Sequence, residues 1–165
     1  MNTGAKFSLD RLHRYRLWRR WDQNLPHATF ILMNPSTATE TENDPTVERC
    51  QRRAFGWKGV GGIEVVNVFA WRETNSAMLP VRIKEGIDII GQDNDESIVI
   101  ACRRASIVVC GWGAPGHALL NRGAAVLKLL RLHGIKPLAF HVNKDGSPRH
   151  PLYVGYADDP MPYIT

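Results

Sequence analysis

Three stretches of the chain are apolar almost without interruption: Ala28 to Met33, Ile63 to Phe69, and Ser106 to Cys110. Short continuous runs of this kind, bounded by turn residues, predict strands buried on both faces of a sheet. Ahead of the first, residues 12–21 read as a strand that turns at Asn24-Leu25-Pro26 into the run at 28–33, an N-terminal β-hairpin. A last strand is expected from Lys136 to Val142, followed by a loop-rich tail over 143–165.

Between these runs the pattern is helical. Asp44-Pro45 pairs an N-cap residue with a proline suited to the first helical position, which predicts a helix to about Trp57, stopped by Gly59 and Gly61-Gly62. Asp93 or Asn94 can cap a helix through Arg104. A third helix is expected from about His117 to His133, with Leu119, Leu120, Val126, Leu127 and Leu130 inward and Gly134 closing it. Residues 75–93 leave room for a short helix over the active face. Strands alternating with helices, without repeats, predict an α/β fold: three layers, αβα, around a mostly parallel central sheet. A length of 165 residues and 44% hydrophobic content fit one domain spanning 1–165.

Each buried run ends in a polar loop. Asn34-Pro35-Ser36-Thr37-Ala38 follows the first and Ala70-Trp71-Arg72-Glu73-Thr74 the second. Gly111-Trp112-Gly113 follows the third, and Arg149-His150-Pro151-Leu152-Tyr153 lies near the end. Loops at the carboxyl ends of parallel strands converge on one crevice, so an amide and an imidazole are expected to face one pocket. Gly111 to Gly116 satisfies GxGxxG, but a tryptophan stands between the first two glycines. About 20 residues on, where a dinucleotide site has its acidic residue, stand Lys136 and Pro137.

There is no phosphate-binding GxxxxGK[ST] and no HExxH. Cys50, Cys102 and Cys110 lack CxxC spacing, so a disulfide framework and a four-cysteine cluster are not expected. We expect no metal, no cofactor and reduced core thiols.

The formal charge is +5. Arg11, Arg14, Arg16, Arg19 and Arg20 crowd the start, interleaved with Tyr15, Trp18 and Trp21; a second basic set is Arg49, Arg52, Arg53 and Lys58, followed by Arg72, Arg103, Arg104 and Arg149. Two readings stay open: solvated edges of a strand and a helix, or a phosphate-tracking face with aromatic stacking partners. The chain has no apolar run of about 18 residues, and its first residues are charged where a secretory signal is apolar. The expectation is a cytoplasmic protein without a membrane span.

The ordered set Phe30 to Ala38, Asp44-Pro45-Thr46, Val65 to Arg72, Val109 to Gly113 and Arg149 to Tyr153 resembles an uncharacterised bacterial and phage family known only as a domain of unknown function. A more distant resemblance is to the uracil-DNA glycosylase superfamily, whose loop after the first core strand carries the water-orienting residue. Met33-Asn34-Pro35-Ser36 is similar to the asparagine version of that loop. Val65-Val66-Asn67 is similar to the strand whose asparagine reads a base edge, Trp112-Gly113 to an element after the third strand, and His150-Pro151-Leu152 to the final motif. Leu32 replaces the usual glycine, and Leu152 replaces a serine that would contact phosphate.

The resemblance implies a uracil-DNA-glycosylase-like fold and a DNA partner. Its roles fall on Asn34 and His150 for catalysis, with Asp44 as a nearby carboxylate that the chemistry below calls for, and on Asn67, Met33, Pro35 and Trp112 around the base; Phe55, Phe69 and Trp71 are candidates for the aromatic that stacks on it. Ser36, Thr37, Arg72, Arg149, Arg14 and Arg16 would hold DNA, with Leu152 or Tyr153 wedged into the gap left by the nucleotide.

The chemistry supports such roles independently. Breaking an N-glycosidic bond in DNA needs an extruded nucleotide, tolerance of a cationic sugar and stabilisation of charge on the departing base. His150 as a neutral imidazole can donate to that base. Asn34 can orient water through its carbonyl but cannot take a proton, so a carboxylate, Asp44 or Glu73, is expected to assist. Asn67 offers one acceptor and two donor hydrogens to a base edge. The expected function is a DNA glycosylase-like hydrolase that excises a modified base; the alternative is a non-catalytic nucleic-acid or nucleotide-binding module on the same fold.

Overall fold

The computed structural model describes residues 1–116 and 119–163, and the backbone but not the side chain of Leu120. Seven strands form one sheet in the order β1-β2-β4-β3-β5-β6-β7. They are β1 (Asn2–Phe7), β2 (Arg14–Arg20), β3 (His27–Leu32), β4 (Gly62–Asn67), β5 (Ala105–Cys110), β6 (Leu138–Ala139) and β7 (Met161–Pro162). The central four, β4-β3-β5-β6, pair in parallel, and the outer strands are antiparallel. β3 and β4 are buried at every position, as their unbroken apolar runs predict.

Among the described residues the four α-helices are α1 (Pro45–Phe55), α2 (Leu79–Lys84), α3 (Asn94–Arg103) and α4 (Leu120–Leu132). Along β4, Ile63 and Val65 join the core beneath α1 with Val47, Cys50 and Ala54. Val66 and the following Val68 join the opposite core, with Ile98 and Ala101 of α3 and Val126 and Leu130 of α4. The sheet is thus covered on both faces, in three layers. All three cysteines are buried and free; burial pushes the Cys102 thiol up to about 12.

Three expectations need correction. The strand at 12–21 does not form a hairpin with the run at 28–33: β2 pairs with β1 on one side and β4 on the other. Both edges of β3 are taken by β4 and β5, so Asn24 to Pro26 is a corner between strands that do not pair. The strand actually opposite β2, Asn2–Phe7, is an edge strand with only one of its residues buried, which leaves little hydrophobic signal.

The strand at 136–142 shrinks to Leu138–Ala139, because the chain bends away and His141 O accepts instead from Arg149 N at 2.8 Å. At α3, Asp93 makes no side-chain cap bond, and Asn94 donates to Asn67 O at 2.9 Å and Val68 O at 3.2 Å. α4 is described from Leu120, so the expected start at His117 lies outside the described residues. Its end matches: Gly134 adopts φ 67°, the left-handed conformation that glycine tolerates. The short helix expected within 75–93 is a 3-10 turn, Ser76–Met78, running into α2.

β3 leads to α1 on one face of the sheet, whereas the neighbouring β5 leads to α4 on the other. The loops leaving these two strands therefore part, and open a crevice at their carboxyl ends where α/β proteins bind ligands.

Candidate active site

A cleft of about 520 Å³ occupies that crevice. Met33, Asn34 and Ser36 come from the β3 loop, and Asp44, Pro45 and Thr46 from the start of α1. Glu73, Thr74 and Ser76 follow β4; Trp112 to Ala114 follow β5; His150, Leu152 and Tyr153 come from the C-terminal turn. Four segments well separated in sequence thus meet where the sheet topology requires.

Asn34 is held by its amide nitrogen, which donates to Glu73 O at 2.6 Å and Pro35 O at 3.1 Å. With both N–H directions taken by backbone carbonyls, the oxygen is the end that Asn34 offers to the cleft. Glu73 N in turn donates to Pro35 O at 2.9 Å, tying the two loops together.

His150 caps the 3-10 turn Pro151–Tyr153: its Nδ1 accepts from Leu152 N at 3.2 Å. In a neutral ring with Nδ1 as acceptor, the proton sits on Nε2. Burial drives the imidazole pKa down to about 4, against a smaller opposing pull from Asp44, so the ring stays neutral through the physiological range. The turn itself is fixed by α1. Arg49 donates to Pro151 O at 3.0 Å and Val154 O at 2.6 Å, and Arg53 to Val154 O at 2.9 Å.

Asp44 is the N-cap of α1. Its Oδ1 accepts from Val47 N at 2.9 Å and its Oδ2, more weakly, from Ala38 N at 3.4 Å. It is buried, and its charge reaches His150 and Arg14. Glu73 is spoken for: Arg82 at 2.9 Å and the Trp71 indole N–H at 3.1 Å hold its carboxyl below the usual range, the Arg82 bond contributing most.

The structure divides the other expected site residues. Leu152 and Tyr153 stand at the cleft with Tyr153 largely exposed, and Trp112 forms an inner wall, packed so closely on α4 that a Cβ on Gly123 would lie 2.9 Å from its Nε1. Pro35 is buried behind the lining, and Thr37 and Arg149 are exposed outside it. Phe69 belongs to the core under α3 and α4. Asn67 is 1% exposed and does not line the cleft; its Oδ1 is buried with no hydrogen-bond partner among the described residues.

The arginines expected to track phosphate are mostly committed to the protein itself. Arg14 is 2% exposed and donates to Ala38 O at 3.2 Å; burial lowers its guanidinium to about 10. Arg16 is clasped by the buried Glu64, and Arg72 reaches Ser36 O at 3.4 Å and Arg11 O at 3.2 Å. Arg14 is therefore not part of any basic surface. The cause is a register irregularity between Lys6 and Phe7 that pairs Phe7 with Arg14 and passes over Tyr15. Arg14 thereby comes to the same face as Leu17 and Arg19, against the loop at 38–43.

Thr46, Thr74 and Ser76 line the cleft without having been singled out in the sequence. Thr46 had a signal, since the first turn after an Asp-Pro cap faces the crevice.

The family model described as "Protein of unknown function (DUF1643)" matches residues 14–152, from the first residue of β2 into the His150 turn. The chain belongs to this family. No curated protein and no solved structure matches it. The DUF1643 match thus encloses every cleft segment except Tyr153, and leaves out β1 and β7. No helix among the described residues is long and apolar enough to cross a membrane.

Proposed function

We propose that the cleft hydrolyses an N-glycosidic bond, releasing a non-canonical base from DNA, on a fold of the uracil-DNA glycosylase type. The observation that carries this reading is the complementary pair of fixed groups in one cleft: an Asn34 carbonyl oxygen left by an anchored amide, and a neutral His150 whose remaining N–H is on Nε2.

In this reading Asn34 Oδ1 accepts one hydrogen of the attacking water and so sets its direction. The bond from C1′ to the base nitrogen breaks with its electron pair moving onto the base. His150 Nε2–H donates to the carbonyl oxygen on which that charge gathers, an arrangement worth about 10²- to 10³-fold in rate. The water oxygen bonds to C1′ and its proton ends on the departed base. Asp44, carrying negative charge close to His150, favours the cationic sugar without itself needing to take the proton. Trp112 and Met33 supply an apolar wall suited to a planar ring, and Leu152 and Tyr153 at the cleft suit insertion into the space an extruded nucleotide leaves.

The test is base release from labelled duplex and single-stranded oligonucleotides carrying uracil, hypoxanthine and hydroxymethylated or glucosylated pyrimidines, scored by alkaline cleavage at abasic sites. Release from one member, lost in His150→Ala, is the expected result. Salt-dependent DNA binding with no release from any member would replace this reading with a non-catalytic binding module.

A further inference from the structure

At the opposite end of the sheet from the cleft lies a second hollow, of about 360 Å³, whose walls are mainly polar. It opens where β2 and β4 pair through Trp18 with Glu64 and Arg20 with Gly62, beside Arg104 at the end of α3. Gly62 begins β4 and Arg104 immediately precedes β5, so this is the amino-terminal end of the parallel strands.

The floor of the hollow is an aromatic ring. Gly4 is the register partner of Trp18, and a Cβ there would overlap the six-membered ring of the indole. The ring lies flat across β1 because Gly4 has no side chain, and its Nε1 donates to Asn2 Oδ1 at 3.0 Å. The indole is thus backed by the β1 backbone, and the guanidinium of Arg16 stands over its ring, 5.7 Å from the centroid.

Around the ring, three guanidinium groups answer one carboxylate. Arg16 is spent on Glu64, through Nε at 3.1 Å and Nη2 at 2.9 Å. Arg20 uses only Nη2, shared between Glu64 at 3.1 Å and His27 Nδ1 at 3.0 Å, and its Nε and Nη1 have no partner among the described residues. Arg104 is exposed and likewise unpaired among the described residues. Burial keeps His27 below its ordinary pKa, so it adds no charge near neutrality. The hollow therefore carries an excess of two positive charges beside a flat aromatic surface.

We propose that this hollow binds a nucleotide unit, its base stacked on Trp18 and its phosphate held by Arg20 and Arg104, either within a single-stranded nucleic acid or as the free nucleotide. Stacking platforms flanked by cations bind single strands with little regard for sequence, which is the chemistry this face presents. The site is separate from the cleft and stands whether or not the cleft turns over a substrate.

The test is fluorescence anisotropy of a labelled oligo-dT strand across a salt series, with unlabelled dTMP and inorganic phosphate as competitors. Arg104→Ala, a surface change, should weaken binding about tenfold at low salt and reduce the salt slope by about one phosphate contact. Trp18→Leu, checked for folding by thermal melting, should abolish competition by dTMP, and Lys128→Ala, at an exposed cation of α4 outside both the hollow and the cleft, should leave oligonucleotide binding unchanged. Stronger competition by dTMP than by the strand on a per-nucleotide basis assigns the site to free nucleotides, and the reverse assigns it to a strand. Wild-type binding in both Arg104→Ala and Trp18→Leu overturns the proposal. So does competition by phosphate equal to that by dTMP, or failure of the wild-type protein to bind either ligand at low salt.

Discussion

The supports of the cleft and the hollow at the other end of the sheet use arginine in opposite ways. Outside the cleft lining, Arg19, Arg49 and Arg53 are turned inward and spend donors mainly on the backbone carbonyls of loops that lead into it. Arg19 alone donates to Trp18, Thr39, Glu40 and Glu42 carbonyls and to the Asn43 side chain. These residues act as struts that hold the 38–43 loop and the His150 turn, leaving the reacting groups to neutral side chains and one buried carboxylate. At the amino-terminal end, Arg20 and Arg104 keep donors free. A count of arginines along the chain therefore says little about where a basic surface lies; what decides it is how many carbonyl and carboxylate oxygens each guanidinium already holds.

The sharpest way to break this comparison is at His150. His150→Ala should lower base release about 10³-fold, roughly 4 kcal/mol of transition-state stabilisation. Its thermal midpoint should move little, since only the Leu152 N–H loses a partner. A matching collapse in stability would make His150 another strut. Arg19→Ala should do the reverse, costing about 3 kcal/mol in denaturant unfolding because four part-buried carbonyls lose their donor together. Arg149→Ala, at an exposed position, should stay within about 0.5 kcal/mol of the parent.

Asp44 sits between the two classes. Asp44→Ala should cost about 1 kcal/mol through the lost cap, and Asp44→Ser should restore most of that while leaving base release slower by roughly tenfold. Full recovery of rate with serine would assign Asp44 to scaffolding alone.

The same histidine sharpens the comparison through pH. Because the folded imidazole of His150 holds its second proton only near pH 4, base release should show no histidine step between pH 5.5 and 8. The unfolded chain takes up that proton near 6.5, so His150 contributes stability that is present above about 6.5 and lost as pH falls toward 4. Unfolding at several pH values in wild type and His150→Ala measures the difference.

The central strands and α1 were legible because burial on both faces leaves an unbroken apolar run, and because Asp44-Pro45 writes the start of a helix into two residues. The convergence of Asn34, Asp44 and His150 followed from the rule that loops gather at the carboxyl ends of parallel strands. β1 was not legible: as an edge strand it needs no continuous apolar face, and its role is expressed through Gly4 yielding room to Trp18. The burial of Arg14 was equally hidden, because one irregular step in register reverses which face a side chain meets. Asn67 looked like a reader of bases because Val65-Val66-Asn67 resembles such a strand. Its side-chain oxygen has no hydrogen-bond partner among the described residues, a shortfall of about 1–3 kcal/mol.

The anchoring of Asn34 also restricts how this site could be improved. A carboxylate at that position would be the better proton acceptor, and Asn34→Asp is a change of one atom in kind and almost none in size. Yet the seat is made of two carbonyl oxygens, Glu73 O and Pro35 O, that require a hydrogen-bond donor. An ionised carboxylate placed there would face oxygen with oxygen, and it would either be expelled from the seat or hold a proton to remain in it. The protonated acid would satisfy only one of the two carbonyls and would have surrendered the basicity that made it attractive. The geometry that would aim the water in the proposed reaction is thus the same geometry that keeps the residue an amide, and under that proposal a stronger proton acceptor has to come from elsewhere in the cleft.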